Sequence, residues 1–246
     1  MEVIAERSTK TVYKDGDKTI KLFVENYSKP DILNEALNQA RVEETGLNMP
    51  KLLEVTKMEN RWALITEHVD GKNLQELMNE YPDKIEEYIS MFIDIQLNIF
   101  SKQAPLLNKL KDKMKRKIEE TDLSDSIKYD LYTRLESMPK HNKICHGDFN
   151  PSNIIIKEDG TAYVLDWAHV TQGNSSADAA RTYLLFNLEG KQDMAEKYID
   201  EFSKKAGIEK RYIQKWIPIV AAAHLSKANA AEKNFLMKWI EVFDFE

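Results

Sequence analysis

The sequence holds a single cysteine, Cys145, among 246 residues. That excludes an intramolecular disulfide and any metal site built from several thiolates, and a reducing cytoplasm is the simplest setting for such a chain. Glycine is scarce as well, with 8 residues in all, and neither G-x-G-x-x-G nor a Walker A loop occurs, so neither glycine-rich phosphate cradle is available. The longest nearly apolar run, Trp216 to His224, is too short to span a bilayer and contains Pro218. The N-terminal M-E-V-I-A-E-R-S-T-K lacks a charged-then-apolar leader. A cytoplasmic protein, neither secreted nor membrane-inserted, is the expectation. There is no excess of basic charge either. A net charge of −6 argues against a nucleic-acid footprint over the whole surface and weakly favours a cationic partner. No internal repeat, low-complexity tract or Gly/Ser linker divides the chain.

What is present is ordinary globular material, 42% hydrophobic and 31% charged, in a chain long enough to bury roughly 70–75% of its unfolded surface as one large domain or two small lobes. From Val3 to Phe23, short apolar runs are punctuated by K-D-G-D at Lys14 to Asp17, a hairpin signal because Gly16 can take a positive φ. The loop Glu6 to Lys10, E-R-S-T-K, offers backbone N–H groups, two hydroxyls and two cations, enough to cover a phosphate; taken alone it reads as a hairpin loop. Lys21 lies in the otherwise apolar strand T-I-K-L-F, and from that segment alone it reads as solvent-facing. Ser28 to Thr45 has helical spacing, with Glu35 beside the apolar stripe, where it could reach a lysine on a sheet under the helix. Strands follow at Leu52 to Met58 and Trp62 to His68, and V-D-G at Val69 to Gly71 breaks the pattern.

Beyond Asn73 helical periodicity dominates, making Glu67 to Gly71 a candidate hinge between lobes. Helices are expected at Leu74 to Asn79, Ile85 to Phe100, about Leu107 to Ile118, and Ser124 to Met138. The third carries K-D-K-M-K-R-K, which reads as a solvated face. Two short strands, Ile154 to Lys157 and Ala162 to Leu165, precede four final helices: about Ala177 to Leu188, Asp193 to Lys205, Lys210 to His224 with a kink at Pro218, and Asn229 to Phe243.

The most informative stretch is I-C-H-G-D-F-N-P-S-N at Ile144 to Asn153, with Y-V-L-D-W following at Tyr163 to Trp167. Oxygen ligands without cysteine favour a hard cation such as Mg²⁺ over zinc. Asp148 on a loop could take a proton from a substrate hydroxyl, while Asn153 and Asp166 could hold Mg²⁺ against nucleotide phosphates, since phosphoryl transfer is mostly positioning and charge neutralisation. The order of base, asparagine five residues on, then metal-binding aspartate after a hairpin matches the kinase arrangement H-R-D-x-x-x-x-N followed by D-F-G. Cys145 adjoins His146, but neighbouring strand residues point to opposite faces, and a buried, inert thiol is expected.

H-G-D-F-N-P-S-N-I followed by V-L-D-W resembles the aminoglycoside phosphotransferase and choline kinase family, whose fold is similar to that of eukaryotic protein kinases. The likeness extends through S-x-x-x-V-Y-K from Ser8, T-I-K at Lys21, N-E-A-L around Glu35, M-P-K-L-L from Met49, L-I-T-E-H-V-D-G from Leu64 and A-D-A-A-R from Ala177 to Arg181. It implies an α+β, bilobal protein-kinase-like fold: a nucleotide-binding N-lobe over residues 1–68, with a small antiparallel sheet and one helix, and a mostly helical C-lobe over 69–246. It also implies ATP or GTP and Mg²⁺ as cofactors. By the same resemblance Lys21 would hold the α and β phosphates and pair with Glu35, Ser8 would touch the terminal phosphates, and the backbone from Glu67 to Val69 would meet the purine. Asp148 would be the catalytic base and Asn153 and Asp166 the magnesium ligands. His146 would brace the catalytic loop, and Asp178 would bond to loop backbone.

Departures from protein kinases point to a small acceptor. Gly147 stands where their catalytic loop has the arginine that reads an activation-loop phosphate, Trp167 and Ala168 follow Asp166, and T-Q-G-N-S-S at Thr171 to Ser176 is short where they carry a long segment. The expected partner is a small-molecule hydroxyl acceptor, cationic, with an aminoglycoside first and choline, thiamine, homoserine or a methylthio sugar as alternatives. Glu241, Asp244 and Glu246 could attract a polycation, and Tyr212, Trp216 and Trp239 could cage a quaternary amine; solvated acids and core aromatics are the plainer readings. A nucleotide-binding regulatory module stands against catalysis. No nucleic acid or membrane partner is expected, and the chain reads as a monomer or homodimer.

Overall fold

The computed structural model describes residues 1–241. Asp244, Glu246 and the helix end expected at Phe243 lie outside the described residues. In chain order the elements begin with β1 (Glu2–Glu6), β2 (Lys10–Asp15), β3 (Lys18–Phe23), α1 (Lys29–Glu43), β4 (Leu52–Met58), β5 (Arg61–Glu67), β6 (Lys72–Asn73) and α2 (Leu74–Glu80). They continue with α3 (Ile85–Phe100), α4 (Leu110–Glu119), α5 (Asp125–Ser137), β7 (Lys143–Cys145), β8 (Ile154–Ile156), β9 (Ala162–Val164) and β10 (Thr171–Gly173). The last helices are α6 (Ser175–Leu188), α7 (Gln192–Ala206), α8 (Lys210–Gln214), α9 (Ile217–Leu225) and α10 (Ala230–Ile240). A small antiparallel sheet with one helix, followed by mostly helical chain, is the α+β, kinase-like plan.

One compact unit comprises Met1–Pro82 and Pro151–His169. Its sheet runs β1-β2-β3-β5-β4, all antiparallel, and Gly16, at φ 62°, turns the β2–β3 hairpin. Both faces of β3 are covered. Ile20 and Leu22 join Ala63 and Ile65 in one apolar cluster, with Tyr13 and Met58 against it; Phe23 and Leu64 join Ile32 and Ala36 of α1 in the other. Because strand side chains alternate, Lys21 shares the α1 face with Phe23. A one-residue slip would exchange the two faces, so the register is strongly specified.

This unit runs past residue 68 to Pro82 and takes in Pro151–His169. The reason is β6, which pairs with β8, Lys72 opposite Ile156, and so joins the segment after V-D-G to the β8–β9 hairpin. Helix α2 then starts on a capping box in which Asn73 and Glu76 satisfy each other's backbone N–H.

The other unit comprises Asp83–Asn150 and Val170–Glu246. Its core is aromatic: Phe92 stacks on Phe149 at 4.4 Å and meets Phe186 and Tyr198 edge-on. Helix α6 is buried along most of its length, and β7 pairs with β10, Cys145 opposite Thr171. The single helix expected from Lys210 to His224 is two, α8 and α9, because Pro218 falls in the first turn of a new helix, where its missing N–H costs nothing. In α4 the basic run puts Leu110, Met114 and Ile118 inside; Lys115 and Arg116 are exposed, but Lys113 is half-buried, so the run is not uniformly a solvated face. No helix among the described residues is long and apolar enough to cross a membrane.

Candidate active site

In the first unit the lysine that the local pattern turned outward is enclosed. Lys21 Nζ donates to Glu35 Oε1 at 2.8 Å and to Asp166 Oδ1 at 3.2 Å, with side-chain exposures of 14% for Lys21 and 7% for Glu35. Burial works against the Lys21 charge, but Asp166 and Glu35 outweigh it and hold the amine's pKa well above its ordinary value. Asp166 is pulled the other way. Burial alone would raise it, yet Lys21 and Lys10 keep its carboxyl far below the usual range.

The β8–β9 hairpin sets the position of Asp166. Ile154 pairs with Val164, and Leu165 N–H donates to the Asn153 carbonyl at 2.8 Å, so Asn153 and Asp166 stand at the same hairpin end. Asp166 itself is at φ 59°, a left-handed conformation that aspartate tolerates better than most residues and that is concentrated at functional sites. Lys10, one of the two cations of E-R-S-T-K, reaches Asp166 Oδ2 at 3.4 Å. Ser8 lies in the turn before β2, exposed, where Arg7 N–H bonds to Lys10 O at 2.9 Å. Glu67 ends β5; its N–H bonds to Lys51 O, its carboxylate accepts from Lys51 N–H at 3.2 Å, and its carbonyl accepts from the Thr66 hydroxyl at 3.1 Å. Val69 follows, half-buried, after His68 N–H has bonded to Asp17 O at 2.7 Å.

In the second unit β7 leads into His146, Gly147 and Asp148. Buried Asp178, near the start of α6, accepts His146 N–H at 3.1 Å and Gly147 N–H at 2.7 Å. Burial raises the Asp178 pKa, against the pull of His146 and of those two amides. His146 is fully buried, and its Nδ1 accepts Asp148 N–H at 3.2 Å, which leaves Nε2 to carry the ring proton in the neutral tautomer. Gly147, at φ 81°, makes the turn. The Asp148 carboxylate is 31% exposed and faces Arg181 Nη2 at 3.8 Å, while Asn150 Nδ2 donates to the Asp148 carbonyl at 3.0 Å. Cys145 is buried, its thiol pKa raised by that burial and its Sγ–H directed to Asn174 O at 3.5 Å.

Two residues without an individual assignment in the sequence reading stand out. Lys10 was read only as one cation of a hairpin loop. Arg181 was only the last letter of A-D-A-A-R, yet it sits three residues after Asp178, on the same helix face, and that spacing is the signal that could have found it. The proposed amine cage does not take shape. Trp216 is fully buried, Trp239 meets Tyr183 edge-on at 5.9 Å, and the Tyr212 hydroxyl accepts from Asn174 at 2.8 Å.

The model of the phosphotransferase enzyme family matches residues 3–212. The chain belongs to that family. No curated protein matches the sequence. Among solved structures, a thermostable aminoglycoside phosphotransferase APH(4)-Ia variant, crystallised as a ternary complex with ADP and hygromycin B, superposes with a TM-score of 0.69 at 12% identity over 96% of this chain and 89% of that chain. A choline/ethanolamine kinase family protein from Mesorhizobium loti gives 0.65 at 14%, over 98% and 88%. The choline kinase LicA from Streptococcus pneumoniae gives 0.63 at 14%, over 98% and 92%. At these identities the likeness is one of fold. The family member is a small-molecule kinase, a phosphotransferase with an alcohol group as acceptor.

Proposed function

We propose that this phosphotransferase uses ATP or GTP with Mg²⁺, and that Asp148 is the base for the acceptor hydroxyl. The observation that carries the nucleotide half is Lys21 held between Glu35 and Asp166, a buried cation already oriented by two carboxylates. The ADP in the APH(4)-Ia complex supports the same reading. Lys21 would bind the α and β phosphates, Ser8 and the neighbouring turn the terminal phosphates, and the backbone from Glu67 to Val69 the purine. Lys10, beside Asp166, adds a second cation for phosphate.

Asn153 and Asp166 fit a magnesium ion. They offer only oxygen donors, from one hairpin end, and Mg²⁺ is commonly held by one or two protein oxygens with the remaining positions left to water and phosphate. When bound, the ion would neutralise charge on the phosphates.

In the transfer itself, the acceptor hydroxyl gives its proton to Asp148 and its oxygen forms a bond to the γ-phosphorus; the bond from that phosphorus to the β–γ bridging oxygen breaks, releasing the nucleoside diphosphate and a phosphate monoester. His146 and Asp178 are positioning residues that hold the Asp148 backbone. An aminoglycoside acceptor draws support from hygromycin B in the APH(4)-Ia complex, and a choline-like one from the choline kinases of similar fold.

The deciding experiment compares wild type with Asp148→Asn for Mg²⁺-dependent nucleoside diphosphate release over a panel of hydroxylated acceptors. Loss of roughly 10²–10⁴ in turnover, with nucleotide affinity retained, is expected for removal of a general base. Turnover insensitive to the substitution would sink the reading.

A further inference from the structure

Helix α6 fixes the loop that carries Asp148 at three backbone points. Asp178 accepts the N–H groups of His146 and Gly147, and the Thr182 hydroxyl donates to the Phe149 carbonyl at 2.9 Å. Residues 178, 181 and 182 share one helix face, so the turn that holds the loop also presents Arg181 to it. Arg181 Nη2 stands 3.8 Å from Asp148 Oδ1, with side-chain exposures of 11% for the arginine and 31% for the aspartate. That separation brings the two charges together without a hydrogen bond between them.

An arginine kept for structure alone commonly grips a carboxylate through two parallel N–H groups at roughly 2.7–2.9 Å. Arg181 does not. Among the described residues its polar contact is this longer ion pair, which leaves the donors of a planar, permanently charged fork unspent at the edge of the carboxylate. Asp178 and Glu232 also act on its charge, but Asp178 accepts the two loop amides and Glu232 accepts Asn229 N–H at 3.0 Å in the capping box of α10. The gap between Arg181 and Asp148 has the size of one oxygen atom. A hydroxyl oxygen about 2.7 Å from the carboxylate and about 2.9 Å from the guanidinium closes a triangle on that edge, donating its hydrogen to Asp148 and accepting from Arg181.

We infer that Arg181 is a catalytic residue, its guanidinium donating to the acceptor oxygen and to the phosphoryl group that arrives on it. The inference rests on the reading of Asp148 as the base, because it places the acceptor by the group that would deprotonate it. As the hydroxyl proton passes to Asp148, the oxygen–phosphorus bond forms and the bond to the β–γ bridging oxygen breaks; Arg181 keeps all its protons and supplies charge. Once Asp148 is neutral, the positive charge it had balanced stands beside the transferred group, where a partly desolvated guanidinium counts for more than it would in water. Because α6 fixes the loop backbone on both sides of Asp148, the pair is oriented before any acceptor binds.

The test uses the full chain in two assays: hydrolysis of ATP with Mg²⁺, in which water is the acceptor, and binding of ADP with Mg²⁺ and aluminium fluoride, which mimics the phosphoryl group in transit. Arg181→Gln is expected to slow hydrolysis by roughly 10²–10³, the scale of one lost donor to developing charge, with little change in the KM for ATP. Aluminium fluoride should tighten ADP binding in wild type, and that gain should shrink roughly tenfold or more in Arg181→Gln while affinity for ADP alone is kept. Arg181→Lys retains the charge without the fork and should fall between the two; it carries the test if the neutral variants fold poorly. In Arg181→Ala, added guanidinium chloride should restore part of the hydrolysis where sodium chloride does not, a recovery that a purely structural arginine would not show. Hydrolysis at the wild-type rate in Arg181→Gln or Arg181→Lys, or an undiminished aluminium fluoride effect, would overturn the inference. So would a slow Arg181→Ala that guanidinium leaves uncorrected and whose ADP affinity falls in parallel, the mark of a disturbed loop. Failure of the base assignment shows separately, as Asp148→Asn turning over normally while Arg181→Gln remains slow.

Discussion

Lys21 and Glu35 meet at 2.8 Å because the residues on either side of the lysine, Ile20 and Leu22, are packed on the opposite face of the sheet. Removing one partner leaves the other charge buried. Lys21→Met is expected to destabilise the protein by about 3–5 kcal/mol, since Glu35 would then be unpaired, whereas Lys21→Met with Glu35→Leu should recover most of that loss and stay inactive. Urea melts and nucleotide turnover on the three proteins check it; a double variant as unstable as the single one would show that the pair is not the source.

Asp166 combines a demanding backbone with a charge, and the two can be separated. Asparagine tolerates the left-handed conformation, so Asp166→Asn should fold normally while losing Mg²⁺-dependent nucleotide affinity; Asp166→Val should in addition cost roughly 1–2 kcal/mol of backbone strain. Calorimetry with and without Mg²⁺, alongside thermal melts, reads both effects. Equal nucleotide affinity in wild type and Asp166→Asn would remove this residue from the metal site.

Asp178 satisfies two backbone amides of the loop carrying Asp148. Asp178→Ala would leave both unpaired in a buried place, at about 1–3 kcal/mol for each. The expected kinetic signature is a fall in kcat with little change in nucleotide KM, because the loop lies in a different unit from Lys21. Rescue of kcat by Asp178→Asn, which keeps one acceptor oxygen, would support positioning, and a parallel rise in nucleotide KM would contradict it.

The low amine of Lys113 has a pH consequence whose sign is fixed. Its folded pKa, about 7, lies below the ordinary 10.5, so between those values the unfolded chain binds more protons and this residue's contribution to stability rises with pH; below about 7 the charge is present in both states and the penalty is full. The groups facing it, Lys227, Arg181, Arg116 and Lys117, act in the same direction. Subtracting the unfolding free energies of Lys113→Met from those of wild type across this window isolates the slope. A difference that stays flat would show that Lys113 titrates normally.

Several features were legible from local pattern because their causes are local. Gly16 in K-D-G-D turns a hairpin by its own backbone freedom, and α1 follows the spacing of Ile32, Ala36 and its neighbours. The order of Asp148, Asn153 and Asp166 was visible because loop and hairpin are contiguous in the chain. The break between α8 and α9 was read only as a kink, since a proline's missing N–H is equally at home in the first turn of a new helix.

By itself, then, the sequence determined the antiparallel sheet with its single helix, the helical remainder, and the oxygen-rich stretch from His146 to Asp166, all from periodicity, turn chemistry and adjacency. Only tertiary structure decided which way three cations point. T-I-K-L-F is compatible with a solvent-facing lysine until a second apolar cluster claims Ile20 and Leu22 and turns Lys21 toward Glu35. Lys113 and Arg181 lie on helices far apart in sequence, and a cluster of like charges is formed by packing, which no local pattern records.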